Sequence, residues 1–75
     1  MEYTMEMLRP GQCGTVTAVN LEPDMKKRLR EFGLTENTVV ECVGKSPLGD
    51  PSAYRIRGVT VALRNRDAAR ITLRR

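Results

Sequence analysis

The sequence contains no histidine, and only two of its 75 residues are cysteine. Imidazole and thiolate groups are the usual ligands of zinc, copper and non-haem iron, so this ligand set is missing or scattered. Histidine is also the commonest general acid or base, and without it neither a Ser-His nor a Cys-His pair can form. The composition therefore predicts a protein that is not an enzyme and has no catalytic residue, metal site or cofactor.

The two cysteines, Cys13 and Cys42, lie far apart in the sequence and form no CxxC motif. We interpret both as reduced, largely buried side chains of a cytosolic protein. A disulfide is the alternative, although nothing in the spacing demands one. No apolar run approaches the ~20 residues of a membrane span. The acidic N-terminal residues 1–7 lack the apolar core of a signal peptide, so we expect a cytoplasmic protein.

The chain is short enough for one domain, residues 1–75, and its formal net charge is +4. The charge is uneven: residues 1–42 carry five basic and seven acidic residues, whereas residues 43–75 carry eight basic and two acidic ones. The basic half predicts an acidic partner, such as a protein surface, anionic lipid headgroups or nucleic acid. The alternative is a basic face that contacts only solvent.

One helix is predicted over residues 22–32. Pro23 suits the first helical position, and Gly33 is placed to end the helix in a left-handed conformation. The i, i+4, i+7 spacing gives one apolar face that we assign to the core. This face consists of Met25, Leu29 and Phe32.

Five short strands are predicted, at residues 12–20, 39–45, 53–57 and 59–64 and around Ile71 and Leu73. Val16 and Val19 can both face inward only if the first strand bends or bulges between them. Val59, Val61 and Leu63 are expected to alternate inward along the fourth. Asn65 is expected to cap a short helical turn at residues 66–69. These elements predict a mainly β fold, a small, strongly bent barrel with one inserted helix, and an open α+β sheet is the alternative.

A stiff loop is predicted at residues 47–51, which read Pro-Leu-Gly-Asp-Pro. Each proline fixes its own φ near −65°, and Gly49 can adopt angles that other residues avoid. Asp50 is expected to bond its own backbone in an Asx-type turn. Leu48 is the apolar side chain near the middle of the loop. Rigid loops often carry binding because little entropy is lost on docking, but a plain structural turn is the alternative.

Motifs spread over most of the chain resemble those of the FeoA family, small cytosolic proteins of bacterial ferrous iron uptake. The most specific is the Pro-Leu-Gly-Asp-Pro run at residues 47–51, together with its distance from residues 61–64 and 67–69. The helix end at residues 28–34 and Leu8, Gly11 and Ile71 also match. Glu36 and Asn37 stand where the family usually has Pro-Gly, and Asn37 can adopt the positive φ of the missing glycine.

The resemblance implies an SH3-like barrel that acts beside the FeoB membrane transporter and docks on or modulates its cytosolic GTPase part. We therefore expect a non-catalytic accessory protein, cytoplasmic and held at the inner face of the membrane by its partner. Self-association is left open. The predicted contact residues are Pro47, Leu48, Gly49, Asp50, Pro51, Arg55, Arg57 and Arg64.

Two alternative functions belong to other classes of protein. A small basic barrel could bind nucleic acid, but such modules add stacking aromatics, and this chain has only Tyr3, Phe32 and Tyr54. An Fe(II)-binding chaperone is disfavoured because soft ligands are separated and imidazole is missing.

Overall fold

Six antiparallel strands form one sheet in the computed structural model, which describes residues 2–74. In chain order they are β1 (Glu2–Thr4), β2 (Cys13–Val19), β3 (Val39–Lys45), β4 (Ser52–Ile56), β5 (Val59–Leu63) and β6 (Ile71–Arg74). Across the sheet the order is β1-β6-β2-β3-β4-β5. A 3-10 turn covers Met5–Met7, helix α1 (Pro23–Glu31) joins β2 to β3, and the short helix α2 (Asn65–Ala68) joins β5 to β6.

The mainly β fold is confirmed, with one strand more than the sequence predicted. The additional strand is β1, which pairs with β6 in the register Tyr3↔Leu73. A strand of three residues is too short to show alternation in the sequence. Residues 2–4 form a strand because their backbone pairs with the free edge of β6.

The sheet bends at two irregularities. In β2 the register against β6 shifts between Val16 and Ala18, and both Val16 and Val19 are buried. The predicted bulge is therefore confirmed. A second shift lies between Cys42 and Gly44, where β3 pairs with β4. Bulges of this kind increase the local twist and allow a sheet to curl.

The curled sheet encloses a single hydrophobic core. Met5, which follows β1 at one edge of the sheet, belongs to the same buried cluster as Leu63, which ends β5 at the other edge. The molecule measures 29 × 26 × 22 Å. A six-stranded sheet whose two edges contribute to one cluster must wrap around it, as in the small, strongly bent barrel that was predicted.

The end of helix α1 has the predicted backbone conformation at Gly33, but Phe32 is not buried as predicted. Gly33 has φ +95°, its N–H donates to Arg30 C=O, and Leu34 N–H donates to Leu29 C=O. These two bonds make a Schellman motif, and both leucines are buried. Phe32 is not a core residue, because 41% of its surface is exposed. It caps the helix, where the chain turns away and the apolar face no longer continues.

Two other side chains are more exposed than predicted. Val59 is 42% exposed, although its partner Ile56 is fully buried, because within residues 2–74 its strand β5 has a neighbouring strand on one side only. Cys13 is also exposed, at the beginning of β2, whereas Cys42 is buried as expected. Both thiols are free. Cys13 is opposite Glu41 in the β2–β3 register, so the two thiols point to opposite faces of the sheet.

Tyr54 is fully buried, and its hydroxyl has no hydrogen-bond partner among residues 2–74. Burial raises the pKa of this phenol above its ordinary value of 10.0. The nearby Ser52 hydroxyl lowers the pKa, although it does not reach hydrogen-bonding geometry with Tyr54. Three acidic groups raise the pKa further: Cys42, Glu6 and Asp50.

We expect Tyr54→Phe to leave the free energy of unfolding at neutral pH unchanged or to raise it by about 1–2 kcal/mol, because it removes an unpaired buried hydroxyl. Above the unfolded-state pKa of 10.0, the unfolded chain loses the proton while the folded protein keeps it. Stability should therefore fall in the wild type as pH rises toward the folded-state pKa, and less in the variant. Urea unfolding at neutral and alkaline pH measures both effects. Equal pH slopes for the two proteins would contradict the assignment.

Candidate docking surface

The loop at residues 47–51 is closed by its own backbone. Gly49 N–H donates to Ser46 C=O over 2.8 Å, and Ser46 N–H donates to Pro51 C=O over 3.1 Å. Gly49 has φ +83°, in the left-handed region that glycine adopts without a Cβ clash. The Asp50–Pro51 peptide bond is cis. The tight, shaped loop predicted from the sequence is therefore present.

The loop is also tied to the first residue of α2. Asn65 N–H donates to Asp50 Oδ1 over 2.9 Å, and Asn65 Nδ2 donates to Gly49 C=O over 2.8 Å. Two sequence predictions are corrected here. Arg64, not Asn65, is the N-cap of α2, and the Asn65 side chain points back to the loop. Asp50 accepts a distant backbone N–H, because the fold brings α2 within its reach.

A second set of hydrogen bonds fixes the base of the loop. Ser52 Oγ donates to Asn65 Oδ1 over 3.3 Å, and Lys45 Nζ donates to Ser52 Oγ over 3.2 Å. Lys45 Nζ also donates to the backbone carbonyl of Glu6, over 3.4 Å. The two strands that flank the loop, helix α2 and the 3-10 turn thus share one network. Asn65 is the residue that sequence reasoning missed as an anchor, and no local pattern pointed to it.

Leu48 stands at the tip of this fixed loop with 93% of its surface exposed. The other large exposed hydrophobic side chains range from 41% to 62%. A scattered exposed leucine is ordinary on a protein surface. Here the exposed leucine is carried by a backbone that hydrogen bonds hold on both sides, so its position is defined before any partner arrives.

The three arginines predicted to contact the partner lie in different parts of the structure. Arg64 directly precedes Asn65 and lies beside the loop. Arg55 lies in the middle of β4, where its Nη1 is 3.3 Å from Glu41 Oε1. Arg57 follows β4 at its far end, about 17 Å from Ser52 at ~3.4 Å per strand residue. Its side chain packs over the end of α1, since a Cβ added to Gly33 would lie 2.5 Å from Arg57 Cδ. The loop and Arg64 therefore form one surface, and Arg57 belongs to another.

Within residues 2–74, no three His, Cys, Asp or Glu side chains come together as metal ligands. Over the same residues, neither helix has the length and hydropathy needed to cross a membrane. The surface formed by the loop at residues 47–51 and Arg64 presents a fixed backbone, one exposed apolar side chain and positive charge.

A family model and a curated relative show which family the chain belongs to. Residues 3–75 match the family model described as FeoA domain. A fusion protein of Fe(2+) transport protein A and Fe(2+) transporter FeoB from Porphyromonas gingivalis is 34% identical over 64 residues, which is 85% of this chain. The chain spans only 8% of the length of that relative.

The fold is shared with solved structures of FeoA proteins. The solution structure of the FeoA protein from Chlorobium tepidum superposes with a TM-score of 0.90 at 30% identity, over 95% of this chain and 68% of that one. Zinc-complexed FeoA from Stenotrophomonas maltophilia, described as a procaryotic SH3 domain protein, gives 0.78 at 28% identity, over 93% of this chain and 87% of that one. The fold is SH3-like.

We expect Asp50→Ala to destabilise the protein by about 1 kcal/mol, the usual loss when an acceptor at a helix N-terminus is removed. Asp50→Asn keeps an oxygen acceptor and is the matched control, with a smaller expected loss. Urea unfolding measures the difference, and hydrogen exchange should show a faster Asn65 amide in Asp50→Ala alone. Equal stability and equal Asn65 exchange in the two variants would show that this bond does not hold the loop.

Proposed function

The chain belongs to the FeoA family, and we propose that it is a non-catalytic accessory protein of ferrous iron uptake that docks on, or modulates, the cytosolic GTPase part of a FeoB-type transporter. The P. gingivalis relative supports this proposal because its name joins a transport protein A part and a FeoB part in one polypeptide. Tethering two modules raises their effective concentration for each other, which is useful when they act together. The protein would then work in the cytoplasm, at the inner face of the membrane.

The main support for this contact is the exposure of Leu48 at the tip of a fixed loop. A leucine that is 93% exposed on a loop fixed by hydrogen bonds can enter an apolar pocket with little loss of conformational entropy. A few side chains that become fully buried in well-packed pockets carry most of the binding energy of an interface, and arginines are common among them. We assign the contact to the loop at residues 47–51 and the adjacent Arg64. Arg55 adds positive charge on the neighbouring face, and Arg57 lies outside the contact.

The other functional classes have less support. Tyr54, one of only three aromatic residues, is fully buried and cannot stack on a base. This weighs against a nucleic-acid groove, which uses stacking aromatics. An iron chaperone would need a cluster of ligands, and the carboxylates and thiols within residues 2–74 are dispersed. The zinc in the S. maltophilia structure belongs to that protein.

We expect Leu48→Asp to weaken binding to the purified cytosolic part of the cognate transporter by at least about tenfold, because burying a leucine contributes about 1.5–3 kcal/mol and a carboxylate resists desolvation. Isothermal titration measures the affinity, and NMR spectra confirm that the variant is folded.

The matched control is Val39→Asp. Val39 is 59% exposed and begins β3, at the end of that strand away from the loop. It should bind as the wild type does. Loss of affinity in Val39→Asp with normal affinity in Leu48→Asp would move the contact away from the loop.

A further inference from the structure

The outer edge of β5 is an open sheet edge. No other strand within residues 2–74 pairs with it on the side away from β4. The two-residue turn at Arg57 and Gly58, both with positive φ, closes on the pair Ile56↔Val59. In such a hairpin the backbone groups of β5 alternate in direction. Those of Thr60 and Ala62 therefore face outward, where a further strand could bind.

This edge lacks the features that usually protect edges. Strand β5 has five residues and contains no charged residue and no proline. The opposite edge, β1, has only three residues and includes Glu2. Natural sheets prevent unwanted pairing with short edge strands, charges, prolines or bulges. Of the two sheet edges within residues 2–74, the edge of β5 is therefore the less protected against pairing.

A hollow beside the edge can accept a side chain. Gly44, Ala53 and Ala62 lie directly opposite one another across three neighbouring strands. Together with Pro51 they line a shallow depression of about 310 Å³ on the outer face of the sheet. A strand added to β5 would place the side chain opposite Ala62 on this same face. An aliphatic side chain there would lie over the depression.

The charges at the two ends of β5 indicate which kind of segment could pair with its open edge. Arg57 precedes the strand and Arg64 follows it, both exposed, and neither forms an ion pair within the described residues. A second copy of this chain paired antiparallel about Val61 would bring Arg57 of one copy near Arg64 of the other at both ends. Like charges so placed oppose pairing. A segment with acidic residues at both ends would instead be complementary.

We propose that the edge of β5 binds an extended segment of another protein by strand addition, with an aliphatic side chain over the Gly44–Ala53–Ala62 depression and acidic residues facing Arg57 and Arg64. Backbone hydrogen bonds supply the affinity in this mode, and side-chain pockets supply the selectivity. The surface adjoins the Leu48 loop, with Pro51 and Arg64 common to both, but it does not include Leu48 and does not depend on the transporter as partner.

The test uses the synthetic peptide acetyl-Asp-Val-Thr-Val-Thr-Val-Asp-amide and the isotope-labelled protein. The peptide slows hydrogen exchange of the Thr60 and Ala62 amides, and a peptide with Lys in place of both Asp residues binds about tenfold more weakly. Ala62→Pro removes an outward N–H at a position where an edge strand tolerates proline, and weakens binding about tenfold. Ala62→Ser keeps the N–H and the small side chain, and binds as the wild type does.

Further variants test the charged ends of the β5 edge and its independence from Leu48. Arg57→Asn keeps a residue that tolerates the positive φ of the turn, and with Arg64→Gln it abolishes the difference between the acidic and basic peptides. Leu48→Asp leaves peptide binding unchanged. Equal binding by Ala62→Pro and Ala62→Ser, both folded, overturns the proposal. So does sedimentation of the wild type as a dimer and of Ala62→Pro as a monomer, because the edge would then pair with a second copy.

Discussion

A chain of 75 residues can enclose a core with a six-stranded sheet only if that sheet bends, and both surface features follow from this constraint. The bulge between Val16 and Ala18 and the shift between Cys42 and Gly44 let the sheet curl until residues from both edges share one buried cluster. Gly44 has a second effect, because it leaves the outer face shallow next to Ala53. The irregularity that permits the core thus also shapes the depression beside β5.

The same curvature brings α2 next to the loop at residues 47–51. Asn65 binds the loop through its backbone N–H and its side-chain amide, and Ser52 and Lys45 extend the network to the 3-10 turn. These hydrogen bonds do not themselves contribute binding energy at Leu48. They determine where it stands, and a fixed apolar side chain loses less entropy on docking than a mobile one. The hydrogen bonds that stabilise the loop are therefore the ones that would position Leu48 in the proposed contact.

The chain belongs to the FeoA family and has an SH3-like fold, and both proposed contacts use the surface of that fold. The proposed contacts lie at one end of the barrel and along one edge, and Arg64 lies where the two meet. Leu48 and the β5 edge differ in the physics of recognition: one relies on burial of an apolar side chain, the other on backbone hydrogen bonds. A small domain can thereby engage more than one segment of a larger partner.

Local rules in the sequence determined the helix with its Schellman end at Gly33, the bulge after Val16, the β3 strand and the stiff loop, because each depends on neighbouring residues or on alternation along the chain. The tertiary structure decided the rest. Strand β1 exists only through pairing with β6, Phe32 is exposed because the chain leaves the apolar face of α1, and Asn65 anchors the loop because the fold brings it to Asp50, 15 positions earlier. Contacts between distant segments leave no periodic signal in a single sequence.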